Sequence, residues 1–301
     1  GKFFSGLAIA LAGQRTGGPA KVAVIASGLY GTISGSPTAD VMTTGSFTIP
    51  LMKRMGFSPA FAGAVEAVAS TGGAILPPIM GSAAFLMVEL TGTPYRDLVI
   101  AAFLPAVLYY LGVWSQVHFY SARAGLKGLS PAELPRLKET LLASGEFFIP
   151  FAVLVYLLLS GYAPAYTAAA ASLAVVAVSQ LRPENRMGLR QLVHTITLLI
   201  RRLAPLTAAI SAAGLVIAGL TVTGLGGRLI VILDQLAGDS LFATLVFAAV
   251  VSIILGMGMP IPAVYILMAV LVGPALVNRG VPLLAAHLFL IYFSAMSAIR
   301  M

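Results

Sequence analysis

Charge is what this sequence lacks most. Only 9% of its 301 residues are Asp, Glu, Lys or Arg, against about 25% in soluble domains. So few charges cannot cover the surface of a water-soluble fold of this length, which excludes an ordinary soluble domain. Cysteine is absent, and with it any disulfide framework, thiol nucleophile or Cys-based metal site. His118, His194 and His287 are scattered without ligand spacing, which argues against a zinc-type site. No Ser/His/Asp set or paired carboxylates stand out, and GLGG at 224–227 has no P-loop lysine. Those gaps argue against an intramembrane enzyme and a nucleotide-binding protein. The net charge is +8, but no basic face interleaved with aromatics exists for nucleic acid. The excess of Lys and Arg is instead the loop bias that orients membrane proteins.

What the chain has is apolar sequence: 59% hydrophobic residues and a mean hydropathy of +0.98. The apolar runs are long and do not alternate, which favours helices over a β-barrel. The fold class is therefore an all-α, polytopic membrane bundle. Charge-poor stretches place spans at 3–12, 22–52, 57–88 and 98–120, then a hairpin of 147–160 and 163–180 joined at Gly161. Residues 186–205 carry Arg190, Arg201 and Arg202 among apolar residues at helical spacing, the pattern of a helix lying along the interface. Further spans fall at 207–223, 229–236 and 241–255. Trp114, Tyr109, Tyr110 and Tyr120 read as interfacial aromatics of the 98–120 span. Asp234 and Asp239 flank a turn and read as solvated, and Glu89 reads as a span end. The chain opens already apolar, on GKFFSGLAIALAG, and reads as a piece of a longer protein.

Two stretches break the pattern. GTISGSPTADVMTTGSFTIP, 31–50, and LGMGMPIPAVY, 255–265, put helix breakers inside apolar sequence. A helix that stops at membrane depth frees backbone N–H and C=O groups, each costing several kcal/mol in hydrocarbon. Such a break survives where protein, water or a bound solute satisfies it. Carbonyls and hydroxyls there can wrap a small cation, and half-helix N-termini attract an anion. Ser34, Ser36, Thr38 and Asp40 supply hard oxygens at the first break. Gly35 and its neighbours allow the reversal. Asp40 is the sharpest candidate, as an ionisable group in apolar sequence; the competing role is a helix N-cap. Glu66, in GAVEAVAS, either pairs with Lys53 or Arg54 or faces a cavity. Ser70, Thr71, Gly72 and Gly73 serve either helix packing or the site. Pro77 and Pro78 predict a second unwound segment. In the second break, Gly256, Gly258 and Pro260 offer carbonyls, with Tyr265 the nearest side-chain oxygen.

The two halves share an order. Aligning Pro50 with Pro274 sets Arg54 opposite Asn278 and Gly56 opposite Gly280; a one-residue slip then pairs Pro59 with Pro282 and Ala62 with Ala285. Paired, interrupted hydrophobic segments at matching positions point to a transporter substrate site. The predicted organisation is a first repeat over 1–121 with its tip near 31–50, and a polar connector over 122–145. Scaffold spans and the interfacial helix over 146–205 follow, then a second, truncated repeat over 206–301 with its tip near 256–262. A passive pore built on re-entrant loops is the alternative.

The stretch 31–78, ending in AVEAVASTGGAILPP, resembles the large permease subunit of TRAP transporters. It is most similar to the fused permeases that work with TAXI-type binding proteins. LGMGMPIPAVYILMAVLVGPALVNRG resembles the second hairpin of that family. The resemblance implies two inverted repeats, each with a re-entrant hairpin, working as an elevator in the cytoplasmic (inner) membrane of a prokaryote, among membrane lipids. It implies no enzyme activity and no cofactor beyond a coupling cation, sodium or a proton. It implies an extracytoplasmic (periplasmic) solute-binding protein, a small membrane subunit or its fused equivalent, and an organic acid as cargo. Family ion-site positions carry over to Ser34, Gly35, Ser36 and Asp40, with Ser70–Gly73 opposite, and to Gly256, Gly258 and Pro260. Sodium would sit at Ser36 and Asp40. Pro50, Pro77, Pro78 and Pro262 would shape the hairpins. The family usually has an amide where Asp40 stands and Thr-Thr where Ile261–Pro262 stand.

Overall fold

The computed structural model describes residues 2–135, 145, 148–181, 186–224, 227–228, 231, 235, 238 and 240–300. Asp234, Asp239 and residues 136–144 of the connector lie outside the described residues. Among the described residues the secondary structure is helical throughout, with no strand. The chain divides into two compact units, Gly1–Gly81 with Val99–Val178, and Ser82–Leu98 with Ser179–Met301.

The first unit is built on α1 (Lys2–Ala12), α2 (Gly18–Ser34), α3 (Pro37–Thr43), α4 (Gly45–Arg54) and α5 (Pro59–Gly73). Small residues let the helices approach closely: Ala20, Ala23, Ala62 and Ala69 are fully buried, and Val24, Met52, Phe57, Val65 and Val117 complete the cluster. Most of α7 (Tyr95–Arg123) belongs to this unit. One of its faces buries Ala102, Ala106 and Val117. The other exposes Ile100, Leu104, Leu108 and Leu111 at helical spacing, each more than half accessible. At 29 residues, with an 18-residue stretch of mean hydropathy 1.9, α7 is long and apolar enough to cross a bilayer. Where the hairpin is expected around Gly161, two helices follow one another, α8 (Phe148–Leu159) and α9 (Pro164–Ser179), with Gly161 between them at φ 85°.

The aromatic belt is partly corrected. Tyr109 and Tyr110 are turned inward, donating to the carbonyls of Val68 and Ala69 on α5, both at 2.8 Å. Trp114 lies under the Lys21 ammonium, 5.0 Å from the ring centre. Tyr120 stacks on Phe61 at 3.6 Å.

The second unit contains α6 (Ser82–Thr91), α10 (Leu189–Val222), α11 (Leu241–Leu255), α12 (Ile261–Leu271), α13 (Gly273–Asn278) and α14 (Leu283–Ser297). Tyr265, Met268, Leu276, Leu290 and Ile291 form its buried centre. The interfacial helix and the span expected after it are one helix: α10 runs 34 residues straight through Pro205. Its window Leu189–Val216 also has the length and hydropathy of a span. Glu89 is exposed near the end of α6.

The shared order of the two halves has a counterpart in backbone geometry. Gly56 and Gly280 both take left-handed φ, 93° and 86°. The amide of Phe57 reaches the carbonyl of Met52, and that of Val281 reaches Leu276, both at 3.1 Å. This is the glycine-closed helix end of the Schellman type. The following arms, α5 and α14, are each 15 residues long. They start behind Ser58 and Pro282 as N-caps, so the expected slip is not needed. Each arm extends about 22 Å at roughly 1.5 Å per residue, short of the ~30 Å hydrocarbon core.

Candidate functional site

The first break is narrower than the sequence suggests. α2 continues through Gly31 to Ser34 and stops at Gly35, whose φ of 60° only glycine adopts freely. Ser36 is extended, and its hydroxyl caps α3 by accepting from the Ala39 amide at 3.5 Å. Pro37 takes the first helical position, where its missing N–H costs nothing. α3 and α4 then meet at Thr44. Pro50 sits inside α4 and ends nothing. Thr38 is exposed.

Asp40 is not the cap; it lies one turn further on and is completely buried. Its Oδ1 accepts from the Ser34 hydroxyl across the break. Its Oδ2 is buried with no hydrogen-bond partner among the described residues. That oxygen lies at a seam between α2 and α5. A Cβ on Gly31 would come within 2.7 Å of Oδ2, and one on Gly73 within 3.3 Å. Buried polar atoms are almost always paired, and an unpaired carboxylate oxygen is costly. Asp40 thus holds one hydrogen-bonded oxygen and one that is buried without a partner among the described residues.

The segment after α5 is unwound, as Pro77 and Pro78 predict: residues 74–81 carry no regular helix. It packs beside the first break. Thr32 Oγ1 donates to the Leu76 carbonyl at 2.8 Å, and a Cβ at Gly35 would meet the Met80 carbonyl at 2.6 Å. Within the expected set Ser70–Gly73, the roles divide. Gly73 faces Gly31 and Asp40, and Gly72 lies under Tyr109 and Tyr110. The Thr71 hydroxyl bonds back to the Ala67 carbonyl at 2.9 Å, and Ser70 turns to Glu66.

For Glu66 the sequence leaves open an ion pair or a cavity, and the structure gives it a set of hydroxyl partners instead. It does not pair with Lys53 or Arg54; Arg54 instead bonds Glu133 at 2.9 Å on the surface. Glu66 is fully buried and its carboxylate collects hydroxyls. Oε1 accepts from Ser27 at 2.8 Å, Thr44 at 2.6 Å and Ser70 at 3.2 Å. Oε2 accepts from Thr48. Ser27, Thr44 and Thr48 gave no signal beyond being hydroxyls in apolar surroundings.

The second break runs from Gly256, the C-cap of α11, through Gly258 at φ 88° to Pro260, the N-cap of α12. Pro262 lies in the first turn of α12. A Cβ on Gly256 would strike the Ser297 side chain, at the last residue of α14. This parallels Gly31 against Gly73, the last residue of α5. Tyr265 does not face the break; its hydroxyl is 2.8 Å from His287 Nδ1, and both residues are buried.

Interrupted helices, an apolar outward face on α7 and buried carboxylates without a protein cation among the described residues are features of a helical membrane protein. Residues 1–300 match the family described as the DctM component of the tripartite ATP-independent periplasmic (TRAP) transporters, and the chain belongs to that family, the large permease subunits. The C4-dicarboxylate TRAP transporter large permease protein DctM of Pseudomonas aeruginosa is 32% identical over 169 residues, 56% of this chain and 38% of that protein. The isethionate TRAP transporter permease protein DctMQ of Oleidesulfovibrio alaskensis is 30% identical over 123 residues, 40% of this chain and 19% of that protein. An uncharacterized protein of Salmonella typhimurium, YgiK, is 33% identical over 119 residues, 39% of this chain and 27% of that protein. The aligned segments span less than half of each relative's length.

Proposed function

We propose that this chain is the translocating part of a binding-protein-dependent secondary transporter, and that the first break holds the driving cation. Its oxygen ligands centre on Asp40, with Ser34 across the break. The observation that carries this reading is the buried, unpartnered Asp40 Oδ2 at the Gly31–Gly73 seam. A small cation answers both the lone oxygen and the uncompensated charge. The cation is sodium or a proton. The cargo is a small organic anion, the class named for two relatives, C4-dicarboxylate and isethionate. A solute-binding protein of the TAXI type delivers it on the outer side of the inner membrane, and a small membrane subunit or its fused equivalent braces the scaffold. The matched glycine-closed arms fit two inverted repeats with re-entrant hairpins, one body sliding against the other.

The experiment is uptake of a labelled C4-dicarboxylate into proteoliposomes by the full-length permease with its binding protein, under imposed sodium or proton gradients. Asp40→Ala should abolish gradient-driven uptake while the protein stays folded. Unchanged coupling removes Asp40 from the site, and wild-type uptake indifferent to both gradients removes the symport reading.

A further inference from the structure

Glu66 is as deeply buried as Asp40, yet it is surrounded by donors. Its four hydroxyl partners come from α2, α4, α5 and the α3–α4 junction. Each hydroxyl has one hydrogen to give, and two of them stand between Glu66 and the backbone of the tip. Thr44 Oγ1 lies 2.6 Å from Glu66 Oε1 and 2.7 Å from the carbonyl of Asp40 itself. Thr48 bonds Glu66 Oε2 and lies 3.0 Å from the carbonyl of Thr44. With its hydrogen given to the carboxylate, Thr44 ties the α3–α4 junction, next to the short helix that carries Asp40, to Glu66 on α5. A hydrogen bond to a charged acceptor is worth more than one between neutral groups. An apolar side chain at 66 would leave the Thr44 junction without its anchor on α5.

We propose that Glu66 is a positioning residue for the first break, holding α3 through Thr44 so that the free Asp40 oxygen stays over the Gly31–Gly73 seam. This rests on the reading that Asp40 binds the driving cation. Glu66 itself touches neither cation nor cargo. A glutamate that only stabilised the bundle would change the melting temperature and leave the cation dependence alone.

The test measures uptake against the concentration of the driving cation, sodium as first probe, in the same proteoliposomes with the full-length permease and its binding protein. Glu66→Gln and Thr44→Val should each raise the half-saturating concentration about tenfold, the loss of one charge-assisted bond, with the maximal rate within about twofold of wild type. The double variant should shift it by clearly less than the product of the single shifts, since both changes cut the same link. Thr48→Val, a near-isosteric change that leaves the carboxylate and Thr44 in place, guards against misfolding and should give a smaller shift in the same direction. Half-saturation unchanged in the folded variants, or single shifts that simply multiply, overturns the proposal. Wild-type uptake that follows neither gradient overturns the functional reading instead, so the two failures are distinct.

Discussion

Gly31 and Gly73 meet backbone to backbone. A Cβ on Gly31 would stand 2.6 Å from the Gly73 Cα and 2.7 Å from Asp40 Oδ2. No side chain larger than hydrogen fits between α2 and α5 at this level, and that closeness brings Asp40 under α5.

Gly73→Ala should therefore force the two helices apart. Overpacking of this kind costs about 1–3 kcal/mol. A lowered midpoint of thermal unfolding in detergent, together with weakened cation dependence of uptake, is the expected outcome.

The second unit offers a rescue experiment. Gly256→Ala should destabilise, because the new methyl meets the Ser297 side chain. Adding Ser297→Gly makes the pair resemble Gly31 with Gly73 and should recover part of the loss, less the cost of glycine in a helix, about 1 kcal/mol. Thermal midpoints of the single and double variants check this.

Tyr110→Phe removes the bond to the Ala69 carbonyl and keeps the ring. A loss of about 0.5–1.5 kcal/mol is expected. Tyr109→Phe should cost a similar amount at Val68. A thermal unfolding series in one detergent reads both.

The surface pair behaves differently. Glu133 is held below its usual range by the backbone and side-chain hydrogen bonds from Ser130, with Arg54 adding to them. A lowered carboxyl pKa means that its contribution is present above the ordinary glutamate value of about 4.3 and fades as pH falls through the depressed one. Being exposed, the pair stabilises little. Glu133→Gln should leave the thermal midpoint at pH 7 unchanged and remove whatever small acid dependence this carboxyl brings.

The breaks themselves were legible in the sequence. Gly35, Pro37, Gly258 and Pro260 act through their own φ angles or missing N–H, so their effect is local and readable. The extent was not: α2 runs through Gly31 and α4 runs through Pro50 because packing against α5 overrides weak helix formers. The role of Glu66 was illegible for a different reason. Its partners Ser27, Thr44 and Thr48 lie 39, 22 and 18 residues away, and only the folded arrangement brings them to one carboxylate. Tyr109 and Tyr110 were misread because a polar-tipped ring suits a membrane interface and a buried carbonyl equally well.

Those two tyrosines hold neighbouring carbonyls, Val68 and Ala69, on successive residues of one helix. Set about 100° apart around its axis, the two bonds resist rolling and sliding of α5 against α7 more than either would alone. The arm that meets Asp40 at Gly73 is the same helix that α7 ties down four and five residues earlier, so the seam at Gly31 and the tyrosine contacts share one support.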